Sequence, residues 1–160
     1  MKHSVLLDTS FFIRLLNDED PLHLNALGYY KYFLDNDIIM KFSTISIAEF
    51  CVFGEVKDLP FRNLQILPFN LKDAEITGEI SRIIFEANKV SQEKIIPRAI
   101  IPNDSKLFAQ AHIDSSITYF VTSDKRSKNT FALLKEKFAP RFEIISIDVS
   151  HNIQFGILDL

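Results

Sequence analysis

The chain has 160 residues, the size of one domain built around a single core, and we expect one domain over residues 1–160. Its net charge of −3 excludes a uniformly basic nucleic-acid-binding protein, so any contact with nucleic acid requires a local basic patch. Cys51 is the only cysteine, which excludes an internal disulfide and a cysteine-based zinc site.

The composition also bears on where the protein works. A single cysteine is typical of a reducing compartment. The apolar run at residues 5–7 is too short for a signal-peptide core, and no apolar run approaches the roughly 20 residues that span a bilayer. We therefore expect a soluble cytoplasmic protein without membrane contact.

Short apolar runs alternate with helical stretches along the chain. We predict a buried strand at 4–7, a helix at 9–16, and a helix opened by Pro21. In this second helix Leu27, Tyr30, Phe33 and Leu34 would share a face. A strand follows at 38–42, a helix at 47 to about 56, and a short strand or connector at 64–68.

The second half of the chain continues the alternation. The clearest helix spans 71–89 and carries an apolar stripe of isoleucines. Pro97 and Pro102 bracket a predicted loop before a helix at 103–113. A β-branched strand at 117–122, a helix marked by Phe131, Leu134 and Phe138, and a strand at 143–147 complete the pattern. The tail, about 149–160, has no assigned role and could pack on the domain or contact a partner.

Strands separated by helices predict parallel pairing and a sheet covered on both faces. The expected fold class is therefore α/β. We predict a three-layer α/β/α sandwich with a central, mostly parallel sheet of about four or five strands.

Four carboxylates follow or flank these strands. Asp8 follows the first strand directly, and Asp124 follows the strand that ends at residue 122. Because ligands of parallel sheets sit beyond the carboxyl ends of the strands, both side chains should emerge at one edge. Glu49, in the first turn of the helix predicted after the second strand, should start near the same edge. Asp104 opens another helix, but the preceding loop cannot be positioned from the sequence.

Each carboxylate also has an ordinary structural explanation. Asp8 could cap the first helix, and Ser46 with Glu49 fits a capping box. Asp104 could stabilise a helix dipole, and Asp124 could be a turn residue before a helix. These explanations are common for single residues, whereas four such acids in one protein favour a shared site.

The residues around the acids resemble a known family. The segments are VLLDTS at 5–10, STISIAEF at 43–50, PNDSKLFAQA at 102–111 and FVTSDK at 120–125. In this order and spacing they resemble the four motifs of the PIN-domain ribonucleases, in particular the VapC-like toxins of toxin–antitoxin systems. The resemblance extends from residue 5 to about 147.

The resemblance implies a PIN-like fold and a metal-dependent endoribonuclease. It implies that Asp8, Glu49, Asp104 and Asp124 are catalytic and metal-binding. The implied substrate is single-stranded or loop RNA, cut to leave a 5′-phosphate. By the same resemblance an antitoxin would block the acidic pocket, and the toxin would form a homodimer.

The chemistry of clustered carboxylates agrees with a metal site. Like charges raise one another's pKa values, and a hard divalent cation relieves the repulsion. An all-oxygen site suits Mg²⁺ or Mn²⁺. Asp8 and Asp124 are the expected ligands, directly or through water, while Glu49 and Asp104 would complete the shell or orient the attacking water. Neighbouring hydroxyls could bind the carboxylates, bind the phosphate or simply cap helices; they belong to Thr9, Ser10, Thr122 and Ser123.

Basic residues begin beside the last acid. Lys125, Arg126 and Lys128 could hold the RNA backbone, and a solvated helix face explains them equally well. Arg98 and Lys106 are weaker candidates for the same role. Arg14 could pair with an acid near the site or lie on the surface, and His112 is expected to be partly buried rather than catalytic.

Arg126 departs from the family pattern. Many members carry an acid two positions after the fourth-motif aspartate, so Arg126 favours one metal over two. It also supports an alternative function, a catalytically inactive PIN-like module that binds RNA or a protein. A haloacid-dehalogenase-type phosphatase is disfavoured because it needs a second aspartate where this chain has Ser10.

Overall fold

The computed structural model describes residues 2–90 and 101–158, except the side chains of Ile101 and Pro102. Within these residues five strands form one sheet: Ser4–Leu7 (β1), Ile39–Ser43 (β2), Leu64–Leu67 (β3), Ile117–Thr122 (β4) and Glu143–Ser146 (β5). The α-helices are Thr9–Leu15 (α1), His23–Asp35 (α2), Thr44–Phe50 (α3), Leu71–Val90 (α4), Ile101–Ile113 (α5), Lys125–Lys135 (α6) and His151–Phe155 (α7), with 3-10 turns at Val56–Asp58 and Phe61–Asn63.

The sheet has the strand order β3-β2-β1-β4-β5, and every adjacent pair is parallel. At the centre, Leu7 of β1 lies level with Phe42 of β2 and Val121 of β4. The carboxyl ends of these three strands therefore meet at one edge of the sheet. The predicted parallel α/β sheet is confirmed, and residues 64–67 form a strand rather than a connector.

Helices cover both faces of the sheet, which explains why β1 is apolar from Val5 to Leu7. Val5 and Leu7 pack into one core cluster, and Leu6 packs into the other. Alternate residues of a strand point to opposite faces, so a strand covered on both sides needs apolar residues at every position. The result is the predicted three-layer arrangement.

Phenylalanine supplies much of both cores. On one face Phe12 packs edge-on against Phe42, with ring centroids 4.6 Å apart. On the other face Phe108 packs edge-on against Phe120 at 5.3 Å. All four rings are fully buried, and edge-to-face contacts of this kind add about 0.5–1.5 kcal/mol each beyond area burial. The phenylalanine contacts therefore determine how the helices pack against the sheet.

Helix α2 differs from its prediction. It begins at His23, and Pro21 lies in the turn before it. Its buried face consists of Ala26, Tyr29 and Phe33. The predicted face was right for Phe33, which is buried, and for Tyr30, which packs against the core, but wrong for Leu34, which is 40% exposed.

Three further helix boundaries differ from the sequence expectation. Helix α3 begins at Thr44 rather than at residue 47, and α5 begins at Ile101, so Pro102 is helical rather than part of a loop. Phe138 lies beyond the end of α6, although it packs against the core. The predicted loop residue Pro97 lies outside the described residues.

The C-terminal segment packs on α2. Phe155 of α7 stacks on Tyr32 with ring centroids 4.3 Å apart and planes 11° from parallel. The Tyr29 hydroxyl donates to the Val149 carbonyl at 2.8 Å. Residues 149–155 are thus part of the packed structure. In the described part of the chain, no helix is both long enough and apolar enough to cross a membrane.

Candidate active site

A single cavity of about 520 Å³ lies at the carboxyl edge of the sheet. All four predicted carboxylates line it: Asp8, Glu49, Asp104 and Asp124. They come from four separate elements, and the parallel sheet brings those elements to one edge. The expectation that these side chains gather in one pocket therefore agrees with the structure, including Asp104, which the sequence alone could not position.

Asp8 is a helix cap and a cavity residue at once. Its Oδ1 accepts a hydrogen bond from the backbone N–H of Thr9 at 2.8 Å. Its Oδ2 accepts from the hydroxyls of Ser10 at 2.9 Å and Thr122 at 2.8 Å. The residue is only 8% exposed. Burial raises the pKa of Asp8, and the charge of Glu49 adds to the rise, while the three hydrogen bonds oppose it.

The hydroxyls around Asp8 join the first and fourth motifs. Ser10 Oγ lies 3.2 Å from Thr122 Oγ1 and accepts from the Ser123 N–H at 3.0 Å. The Asp124 N–H donates to Thr122 Oγ1 at 3.0 Å. In the described structure Ser10 and Thr122 therefore support a carboxylate directly and fix the β1–α1 turn against the β4–α6 turn.

Glu49 lies in the last turn of α3, not in the first. Ser43 is the N-cap, and its hydroxyl accepts from the Ile45 N–H at 3.1 Å. The capping-box explanation was therefore wrong, because Ser46 lies inside the helix and cannot cap it. Glu49 Oε2 instead accepts from the Thr9 hydroxyl at 2.7 Å, which holds the carboxylate against the first motif.

Asp104 is the second buried acid of the cavity, at 8% exposed. Its Oδ1 accepts from the Ser127 hydroxyl at 3.1 Å, and its Oδ2 accepts from the Thr130 hydroxyl at 2.9 Å. Burial raises its pKa to about 6, with smaller contributions from the charges of Asp8 and Asp124. Asp104 is therefore more than an acid beside a helix dipole, because two side chains of α6 hold it in the cavity.

The two hydroxyls that hold Asp104 were missed at the sequence level. Ser127 and Thr130 are three residues apart on α6, so they share a face of that helix. Both are buried polar residues on a helix that opens with Asp124. Their spacing after the fourth motif was the available signal.

Asp124 caps α6. Its Oδ1 accepts from the Arg126 N–H at 2.9 Å, and the Arg126 Nε approaches the same oxygen at 3.4 Å. Asp124 therefore has the structural role of a residue in the turn before a helix, and it also lines the cavity. Arg126 contacts this carboxylate through both its backbone and its side chain.

The predicted basic contacts divide into two groups. Lys125 and Arg126 line the cavity. Lys106 and Lys128, both within the described part of the chain, do not line it, and Lys128 instead pairs with Asp148 at 3.0 Å. Arg98 lies outside the described residues.

The sequence left Arg14 between pairing with an acid near the site and a surface position, and the structure favours the pairing. Arg14 lines the cavity, pairs through Nη1 with Asp20 at 2.5 Å, and points Nε at the Ser123 hydroxyl at 3.4 Å. Its position near the end of the helix capped by Asp8 was the available signal. Asn103 and Phe53 also line the cavity without having been predicted.

His112 agrees with its expected structural role. It is half-buried, its ring contacts Phe138 with centroids 4.7 Å apart, and its Nδ1 accepts from the Arg141 N–H at 3.3 Å. Burial lowers the pKa of His112. It does not line the acidic cavity.

The donor set fits a hard divalent cation only in part. The four acids supply oxygen ligands, and the raised pKa values of Asp8 and Asp104 reflect carboxylates that a cation would stabilise. Within residues 2–90 and 101–158, however, no three His, Cys, Asp or Glu side chains form a group that could hold an ion as they stand. The arrangement therefore suits an ion held by one or two carboxylates and several waters, which is the usual manner of Mg²⁺.

The fold is shared with two solved structures. The chain aligns with a chain of DNA-bound VapBC from Salmonella typhimurium at a TM-score of 0.57 and 17% identity, covering 92% of this chain and 99% of the other. It aligns with VapBC2 from Rickettsia felis, bound to a DNA fragment from its promoter, at a TM-score of 0.60 and 18% identity, covering 89% and 98%. No protein-family model matches the sequence, and no curated protein matches it. The likeness is one of fold, and the chain has the VapC-like PIN-domain fold that its motifs predicted.

Proposed function

We propose that the protein is a Mg²⁺- or Mn²⁺-dependent endoribonuclease that cleaves single-stranded or loop RNA. One observation carries the proposal: four carboxylates from four elements converge in one cavity at the carboxyl edge of the sheet. Burial of two of them costs stability, since the pKa values of Asp8 and Asp104 are both raised. A purely structural role would not require that cost.

Asp8 and Asp124 are the proposed ligands, directly or through water, while Asp104 and Glu49 would bind the waters that complete the shell or orient the attacking water. When bound, the ion would polarise a phosphodiester and lower the pKa of a coordinated water. The chain itself supplies orientation. Ser10 and Thr122 hold Oδ2 of Asp8 in place, and Thr9 holds Glu49 where it can orient the attacking water. Cleavage in this manner would leave a 5′-phosphate.

We further propose that the protein is the toxin of a toxin–antitoxin pair and forms a homodimer. The fold that it shares with the two VapBC structures supports this assignment. An apolar groove beside the cavity, formed by Ile13, Leu16, Phe50 and Phe53, also supports it. Phe53 is 99% exposed and borders both the groove and the acidic cavity. An antitoxin segment that covers this groove would reach the cavity and block it.

The nuclease proposal is tested by incubating pure protein with labelled RNA in Mg²⁺, Mn²⁺ or excess chelator. We expect cleavage with either metal, none with chelator, and none by Asp8→Asn protein. Asp35→Asn is the matched control, because Asp35 is an exposed acid at the end of α2, outside the cavity. An Asp8→Asn protein that cleaves at the wild-type rate removes Asp8 from the mechanism.

The contact between Arg126 and Asp124 favours a second candidate, a catalytically inactive module that binds RNA or a protein. The Arg126 guanidinium, which contacts the proposed ligand Asp124, could take the place of the metal ion. This candidate predicts RNA binding without cleavage at any metal concentration. An Arg126→Glu protein that gained metal-dependent cleavage would support it, whereas cleavage by the wild type excludes it.

A further inference from the structure

Arg14 occupies the cavity wall in a fixed position. It lies in the last turn of α1, the helix capped by Asp8, and its side chain lines the same cavity as the four acids. Its guanidinium Nη1 bonds Oδ2 of Asp20 at 2.5 Å, and its Nε lies 3.4 Å from the Ser123 hydroxyl. The side chain therefore bridges the end of α1 to the turn between β4 and α6.

Asp20 is built to hold that guanidinium. Its side chain is 8% exposed, and its Oδ1 accepts from the Leu22 N–H at 2.8 Å while its Oδ2 accepts from Arg14. The hydrogen bond from Arg14 holds the pKa of Asp20 below its usual range, with the Leu22 N–H adding to the effect. Asp20 thus stays ionised at neutral pH and anchors Arg14 from outside the carboxylate cluster.

Two cations of helix α6 are placed differently from Arg14. Arg126 is 58% exposed at its side chain and is directed to Asp124, one of the acids of the cluster. Lys128, the next cation along α6, is turned away to Asp148. Arg14 is held by an acid outside the cluster, so its charge is not consumed by the proposed metal ligands.

A fixed guanidinium in an acidic cavity has a clear chemical use. A phosphodiester is repelled by four carboxylates, so a cation at the wall is needed to hold the nucleic-acid backbone near them. Arginine carries five N–H donors in a planar fork that matches two phosphate oxygens. The bonds to Asp20 and Ser123 engage two of these donors, which leaves capacity for a phosphate.

We propose that Arg14, positioned by Asp20, forms an anchoring subsite for a backbone phosphate of the RNA beside the acidic cluster. The proposal rests on the assignment of the cavity to RNA cleavage. The proposal adds Arg14 to the four carboxylates of the site, and it adds the ion pair with Asp20 that orients Arg14. Arg14 touches the substrate, and Asp20 is a positioning residue that acts through Arg14.

Binding is measured apart from cleavage. A labelled single-stranded RNA of about ten nucleotides, within the site sizes of single-strand binders, is titrated into Asp8→Asn protein with Mg²⁺ at several salt concentrations. Adding Arg14→Gln should weaken binding about tenfold or more, because a charge-assisted contact to phosphate is lost. It should also reduce the slope of log affinity against log salt by about 0.7, the value for one phosphate contact to a single strand.

Two further variants separate charge from geometry. Arg14→Lys keeps the charge but not the fork, so it should keep the salt slope and lose affinity. Asp20→Asn frees the guanidinium, so it should weaken binding severalfold while leaving the slope unchanged. Arg62→Gln is the control: Arg62 is an exposed arginine before β3, at the opposite edge of the sheet, and its removal should change neither quantity.

The outcomes distinguish the subsite from the nuclease assignment. If the wild type cleaves RNA and Arg14→Gln binds with wild-type affinity and slope, the subsite is refuted and the nuclease assignment stands. If the wild type does not cleave RNA but Arg14→Gln binds it more weakly and with a smaller salt dependence, the phosphate subsite is supported and the protein is an inactive RNA-binding module. If Asp20→Asn binds like the wild type, the positioning role of Asp20 is refuted. Should Arg14→Gln fail to fold, Arg14→Lys decides through its loss of affinity.

Discussion

Thr122 donates its hydroxyl to Oδ2 of Asp8 at 2.8 Å, although the two residues are 114 positions apart in the sequence. The contact is buried and joins the carboxyl ends of β1 and β4. The same hydroxyl accepts from the Asp124 N–H at 3.0 Å. One threonine therefore sets the position of the first and the last proposed ligand together.

Replacing this threonine should destabilise the fold more than a matched change on the same strand. In Thr122→Val the buried Asp8 carboxylate loses a donor and the Asp124 N–H loses its acceptor, so we expect a loss of about 1–3 kcal/mol. Urea unfolding without metal measures it. Thr118→Val is the control, because the Thr118 hydroxyl donates to the Ser4 carbonyl, away from the cavity. Equal losses in the two variants would contradict the special role of Thr122.

Removing the charge of Asp8 should stabilise the metal-free protein at neutral pH. Burial, with the charge of Glu49, raises the pKa of Asp8, so ionising it in the folded state costs free energy. Asparagine retains helix capping while the charge is lost. We expect thermal melts of Asp8→Asn to show a higher Tm without Mg²⁺ and a smaller gain on adding Mg²⁺, since metal binds the folded state. Asp35→Asn should show neither change; a full Mg²⁺ response in Asp8→Asn would exclude Asp8 as a ligand.

Asp104 predicts a specific pH dependence of stability. Its pKa rises from 3.8 to about 6 on folding, so its contribution is favourable below pH 3.8 and is lost as the pH rises through 6. The full loss is up to about 3 kcal/mol, at 1.36 kcal/mol for each pKa unit. Denaturant titrations of metal-free protein from pH 4 to pH 8 measure it.

In that titration the stability of Asp104→Asn should change less with pH than the stability of the wild type. Asp20 provides a control of opposite sign, because its pKa is lowered and its ionised form stabilises the fold above its unfolded pKa. Asp20→Asn should therefore be less stable than the wild type throughout pH 4 to pH 8, and it should approach the wild type only when the titration is extended below pH 3.8. If stability depends on pH in the same way in the wild type and in Asp104→Asn, the raised pKa of Asp104 is contradicted.

The C-terminal helix α7 should stabilise the fold through the aromatic ring of Phe155. Phe155 stacks on Tyr32 at 4.3 Å and also contacts Tyr29 and Tyr119 edge-on. Phe155→Ala should cost about 1–3 kcal/mol, since a half-buried ring and its stacking are lost. Ile153→Ala is the control on the same helix, because Ile153 is 75% exposed. If the two variants unfold at the same denaturant concentration, α7 does not contribute through packing.

The sequence was informative where a buried strand ends in an acid. An apolar run such as residues 5–7 is visible in the sequence, so the positions of Asp8 and Asp124 followed from parallel pairing. The start of α3 was misjudged because Ser43 and Ser46 both offer a capping hydroxyl. The end of β2 at Ser43 decides between them, and that depends on sheet pairing rather than on local sequence.

Contacts between distant elements were beyond sequence reasoning. Ser127 and Thr130 meet Asp104 only because α6 packs against α5, and no local pattern determines that packing. Arg14 meets Asp20 because the turn after α1 folds back, which depends on the Asp20 bond to the Leu22 N–H. The chemistry of the cavity was therefore foreseen more completely than the side chains that orient it.

The central position of β1 between β2 and β4 has a consequence for synthesis. Asp8 is synthesised before the strand that completes its surroundings, which ends at Thr122, 114 positions later. A nascent chain that stops before β4 carries Asp8 and Glu49 without the hydroxyl of Thr122 or the carboxylate of Asp124. Fragments that end before β4 would therefore lack an assembled cavity, and a growing chain could complete the cavity only once Thr122 and Asp124 have been synthesised.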